Sequence, residues 1–73
     1  MPRITLVFTL SDPRAQVDLL HELALHDGVV ASALQVAGAP AIRVEAQDSA
    51  STLWEVRATV RMFDDAAREE PGQ

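Results

Sequence analysis

The chain has 73 residues, 48% of them hydrophobic but only 4% aromatic, no cysteine, and a formal net charge of −5. That length suits one domain, residues 1–73, whose core must be built from Leu, Val, Ile and Ala. The missing cysteines exclude disulfides, thiolate metal sites and a cysteine nucleophile. The acidic balance argues against a general nucleic-acid binder, which needs a basic stripe.

Residues 1–10 read as the first strand. From Arg3 to Leu10, the residues Ile4, Leu6, Phe8 and Leu10 alternate with Arg3, Thr5, Val7 and Thr9, the period of a half-buried strand. Asp12-Pro13 then opens a helix over 12–27. Asp12 is the N-cap, and Pro13 loses nothing at the first helical position, where its missing N–H would be unpaired. Gly28 ends this helix as a left-handed residue. A helical wheel gives it an apolar face of Val17, Leu20, Leu23 and Ala24, with Leu19 flanking and Gln16 at the edge.

Residues 29–37 form a second strand with a weaker pattern. Its inward set is read as Val30, Leu34 and Val36, which leaves Ala31 and Ala33 on the outer face. Gly38-Ala39-Pro40 is a turn. The strand over 41–47 that follows has the clearest pattern in the chain. Ile42, Val44 and Ala46 point one way; Arg43, Glu45 and Gln47 point the other. It is placed at the centre of the sheet. Asp48 or Ser49 caps an early start of a second helix, and Thr52 with Glu55 would make a capping box for a later one. This helix is predicted over 49–70, with a core face of Leu53, Val56, Val60, Phe63 and Ala67. The end of the chain, Glu69 to Gln73, reads as a disordered tail.

The order β-α-β-β-α, with a right-handed crossover, makes the first two strands parallel with the third between them. The expected fold class is α+β: a ferredoxin-like βαββα domain with sheet order 1-3-2, two helices on one face, and no fourth strand. The first strand is then a free edge, and Arg3, Thr5, Val7 and Thr9 are the candidate edge for a homodimer.

No catalytic, metal or cofactor site is expected. His21 and His26 are five apart, about 140° around the helix, whereas a zincin pair needs i and i+4. A solvated helix face accounts for them, with Glu22 in reach of His26. No Ser-His-Asp arrangement, P-loop or dinucleotide fingerprint is present. Trp54 is more informative. It lies roughly 140° from the centre of the second helix's core face, on the side of Arg57, Ala58, Arg61 and Met62. Trp, Met and Arg together are what interface centres favour. The alternative folds Trp54 onto the sheet rim, with Arg61 stacked on it. The open sheet face has the topology of an RNA-recognition module but no aromatic residue on its central strand to stack a base.

Asp12-Pro13 after a strand, a Leu-rich helix, and Gly28-Val29 opening the next strand resemble the first half of ACT-type regulatory modules. The resemblance covers about half the chain and implies a ferredoxin-like topology and a tendency to pair through sheets. That family commonly has Gly where Arg14 stands, so its amino-acid site is not carried over. Heavy-metal modules of this topology use Cys-x-x-Cys, which is absent; small assembly chaperones that grip a peptide along the sheet are similar in size.

The basic residues are Arg3, Arg14, Arg43, Arg57, Arg61 and Arg68, with no Lys, which reads as coding bias. No leader pattern is visible, and no apolar run approaches the ~18 residues of a membrane span. A cytoplasmic, non-enzymatic protein-binding or regulatory module is expected, homodimeric and with a protein partner. The alternatives are a small acidic inhibitor or nucleic-acid mimic of the phage anti-defence kind, and an ACT-like ligand sensor. The inhibitor expects Glu55, Asp64, Asp65, Glu69 and Glu70 on one face; the sensor expects a pocket between Asp12 and Gly28.

Overall fold

The computed structural model describes residues 2–70. The elements are β1 (Arg3–Thr9), α1 (Pro13–Leu23), β2 (Val30–Val36), β3 (Ala39–Gln47), α2 (Ala50–Phe63) and β4 (Arg68–Glu69). The four strands form one sheet in the order β2-β3-β1-β4, and every neighbouring pair is antiparallel. The fold class is α+β, as read from the sequence. The strand count is not: a fourth strand is present.

β3 lies between β1 and β2, and its alternation is what the sheet is built on. Ile42, Val44 and Ala46 are buried; Val44 sits opposite Leu6 on one side and Ala31 on the other. Leu6, Phe8 and Leu10 continue the same row of side chains. Leu19 and Leu23 from α1, with Val56 and Val60 from α2, close over it to form the core.

The second strand is turned over relative to its predicted facing. Val36 pairs with Ala39, so Ala37-Gly38 is a two-residue turn. Both residues have positive φ, 52° and 82°, as the primed hairpin turns require. A turn of that length fixes the register, which sets Ala33 opposite Ile42 and Ala31 opposite Val44. Ala31 and Ala33 therefore share the helix side, while Val30, Ser32, Leu34 and Val36 lie on the open side with Ala41, Arg43 and Glu45.

α1 begins as expected, with the Asp12 carboxylate accepting the Arg14 N–H at 2.9 Å. It ends at Leu23 rather than 27, because Leu25 and His26 donate only three residues back, to Glu22 and Leu23. Those tight bonds close the last turn before Gly28. Its buried stripe is Ala15, Leu19 and Leu23, an i, i+4, i+8 row; Val17, expected in the core, is 53% exposed.

α2 starts at the early cap, with Ser49 accepting the Thr52 N–H, and stops at Phe63 rather than 70. Asp64 is drawn out of the helix by bonds to Ser11 and Ala66. The chain then turns back, and β4 pairs with the end of β1: Phe8 faces Glu69 and Thr9 faces Arg68. The Glu70 N–H donates to the Val7 carbonyl at 2.7 Å. β1 is thus not a free edge over Val7–Thr9. Glu69 and Glu70 belong to this ordered return; the rest of the expected tail, 71–73, lies outside the described residues. Among the described residues no helix is long and apolar enough to cross a membrane.

Candidate protein-binding surface

α2 turns Val56, Thr59 and Val60 inward. Its outer side carries Trp54, Ala58 and Met62, spaced i, i+4, i+8 and therefore one stripe. Trp54 is 71% exposed and Met62 81%; Ala58 between them is half-buried and Arg61 is exposed. Trp54 is not folded onto the sheet rim.

Arg57 departs from this group. Its guanidinium makes two bonds to the Glu69 carboxylate, at 2.8 and 3.0 Å. This fork raises the Arg57 pKa and holds the Glu69 carboxyl below its usual range. The pair ties α2 to β4, so the Arg57 charge is committed within the fold while the Arg61 side chain stands beside the stripe.

The β1 residues have their own local partners. Arg3 donates to the Gly28 and Glu45 carbonyls, both at 3.1 Å. The Thr9 hydroxyl bonds the Glu70 carboxylate and the Arg68 carbonyl. Thr5 and Val7 are half-buried. Among the described residues, β4 leaves only the start of β1, Arg3–Leu6, without a strand on its outer side.

A cavity of about 160 Å³ is lined by Arg3, Asp27, Gly28, Gln47 and Thr52. It lies where β1 begins. Asp12 lies where β1 ends, with α1 between it and the Gly28 turn, a length of about 16 Å. Asp12 and Gly28 therefore do not line one pocket. The five carboxylates expected on one face are also divided. Asp64 is buried, Glu69 is held by Arg57, and Glu70 by Thr9. His26 and Glu22 stand 3.7 Å apart. Among the described residues no group of three or more His, Cys, Asp or Glu is placed to hold a metal ion.

Asp64, read from the sequence as part of an acidic face, is buried and has a bonding role that the sequence reading missed. Its carboxylate accepts the Ser11 N–H at 2.6 Å, the Ser11 hydroxyl at 2.7 Å and the Ala66 N–H at 3.1 Å. Burial alone would raise its pKa; the bonds from Ser11, Ala66 and Asp12 outweigh burial and lower it. The only hint in the sequence is the Asp64-Asp65 pair, weak helix formers at the end of an apolar stripe.

Compared with family models, curated proteins and solved structures, the chain matches none. The ACT-type resemblance has no family match behind it, and what the structure shares with it is a small α+β architecture.

Proposed function

We propose that this chain is a non-enzymatic, ferredoxin-like protein-binding module that self-associates and presents the Trp54–Ala58–Met62 stripe, with Arg61 beside it, to a protein partner. One observation carries the reading. Trp54 and Met62 are the most exposed large apolar side chains of the helix, 71% and 81% accessible, two turns apart on the side away from the buried Val56 and Val60; Phe63, expected in the core face, is itself partly exposed at the helix end. An aromatic ring brings 150–250 Å² to a contact, and Trp with Arg dominates measured interface energies. Ala58 keeps the centre of the stripe shallow, so a partner side chain can seat between the two.

The single Trp of the chain makes the test direct. The isolated protein should emit at the wavelength of a solvated indole and be quenched freely by acrylamide. A protein retained by the wild type should be lost with Trp54→Ala and should shift the Trp54 emission to the blue when added back. A blue-shifted, poorly quenched Trp54 in the isolated chain, or retention unchanged by Trp54→Ala, would overturn the reading.

A further inference from the structure

We propose that the outer edge of β2 is where a second copy of this chain adds, antiparallel, about a two-fold axis at Ala33. The two four-stranded sheets would become one of eight. This rests on the self-association in the proposed function and is independent of the Trp54 stripe, since α2 is tied to the opposite side of the sheet through Arg57 and Glu69.

The two ends of the sheet are unlike. β4 is two residues long, Arg68-Glu69, with Glu70 following. Short length and charge are the usual protections of an exposed edge. β2 is seven residues, VASALQV, with no charge and no proline. The phase of the ladder shows which of its groups are open. The Leu10 N–H donates to the Pro40 carbonyl, so even-numbered β3 residues turn their backbone toward β1. Odd-numbered Ala41, Arg43 and Glu45 then bond their β2 partners Leu34, Ser32 and Val30, because the direction alternates along a strand. That leaves the N–H and C=O of Ala31, Ala33 and Gln35 pointing outward, and among the described residues no hydrogen bond engages them.

The strand is complementary to itself about Ala33. Antiparallel pairing there sets Val30 opposite Val36 of the second copy, Ser32 opposite Leu34, and Ala31 opposite Gln35. The first two sets lie on the open face, where Val30 is now 59% exposed, and no like charges meet. Such a contact is isologous and closes after two chains.

α1 supplies the second half of the surface. Gln16 donates to the Leu34 and Ala41 carbonyls, at 3.2 and 2.8 Å, so its side of the helix is turned toward β2. Leu20 lies about 40° further round and Val17 about 100°, with Ala24 between them. Leu20 is half-buried, and Val17 and Ala24 are exposed. Leu20 packs against the core, while Val17 and Ala24 continue the same flank outside it, on the side of α1 that Gln16 turns toward β2. The two-fold brings the same flank of the second copy alongside it, which gives Val17 and Ala24 an apolar neighbour.

Ala33 is exposed and sits on the axis, so charges placed there decide the matter. Sedimentation of the wild type at micromolar concentration should show a dimer. Ala33→Lys and Ala33→Glu, each folded by far-UV dichroism, should each sediment at the monomer mass, and an equal mixture should recover the dimer. In this cysteine-free chain Ala33→Cys gives a check without charge: oxidation should link two chains, whereas Ala31→Cys, set opposite Gln35, should link far less. A wild type that stays monomeric at all concentrations overturns self-association and leaves the Trp54 stripe to be judged alone. A dimer that survives Ala33→Lys, or that position 33 fails to cross-link, overturns the β2 edge while self-association stands.

Discussion

Asp64, at the end of α2, holds Ser11, at the end of β1, through both its backbone N–H and its hydroxyl, at 2.6 and 2.7 Å. The same carboxylate accepts the Ala66 N–H, so one buried side chain closes the β1–α1 loop against the turn into β4. Its pKa is lowered in the folded protein, burial being outweighed by these bonds. The stability it contributes is therefore full above the ordinary carboxyl range near 4 and is lost as pH falls through the folded value. Asp64→Asn should cost about 1.5–3 kcal/mol at neutral pH, the range for bonds to a charged group. Below pH 4 the difference between variant and wild type should narrow. Melting temperatures measured from pH 7 down to pH 3 check both statements; a gap that widens on acidification would contradict them.

Val44 is fully buried between Leu6 and Ala31. Val44→Asp places a carboxyl with no partner at the sheet centre and should cost several kcal/mol, comparable to the whole stability of a small domain. Far-UV dichroism should show loss of the folded spectrum at 25 °C. An unchanged spectrum and melting point would remove β3 from the centre.

The Arg57–Glu69 fork is partly exposed, its side chains 46% and 35% accessible, so its effect on global stability should be no more than about 1 kcal/mol. Its local effect should be larger. Arg57→Ala frees β4, and the Glu70 amide, bonded to the Val7 carbonyl, should exchange with solvent markedly faster while the core amides do not. Equal protection of Glu70 in variant and wild type would show that β4 is held by its backbone alone.

Ala37 occupies the left-handed region with φ 52°, which costs an L-residue roughly 1–2 kcal/mol unless it is Asn, Asp or Gly. Its Gly38 neighbour, at φ 82°, has open space around it. Ala37→Asn should therefore stabilise the hairpin, by about 0.5–1 kcal/mol in chemical denaturation. No gain would mean that the turn relaxes to another form in solution.

Much of this architecture is legible in local patterns. The alternation of Ile42, Val44 and Ala46 places β3, Asp12-Pro13 marks the first helix start, and the cap-rich run 48–52 marks the second without choosing among Asp48, Ser49 and Thr52, because caps and alternation are decided within a few residues. The facing of β2 is not local. Val-Ala-Ser-Ala-Leu-Gln-Val offers small or apolar groups on both sides, and only the pairing of Val36 with Ala39 chooses between them. The end of α2 is illegible for the same reason. Residues 64–70 have no strong helix breaker before Pro71, and the partner that draws Asp64 out of the helix is Ser11, far away in sequence. The wheel places Trp54 and Met62 away from the core face, yet the same wheel misplaces Val17, because α1 carries two apolar flanks and the sequence does not say which one meets the sheet.

The tight Ala37-Gly38 turn also orders events in time. Val36 meets Ala39 across two residues, whereas Arg3 must find Gln47 and Thr9 must find Ala41. Closing the short loop costs far less chain entropy, and hairpins form in microseconds. β2 and β3 should therefore be paired in the folding transition state, with high φ-values around the turn and low ones for Leu6 and Phe8. For that interval the hydrophobic row of β3 has β2 beside it and nothing yet on the side that β1 will take.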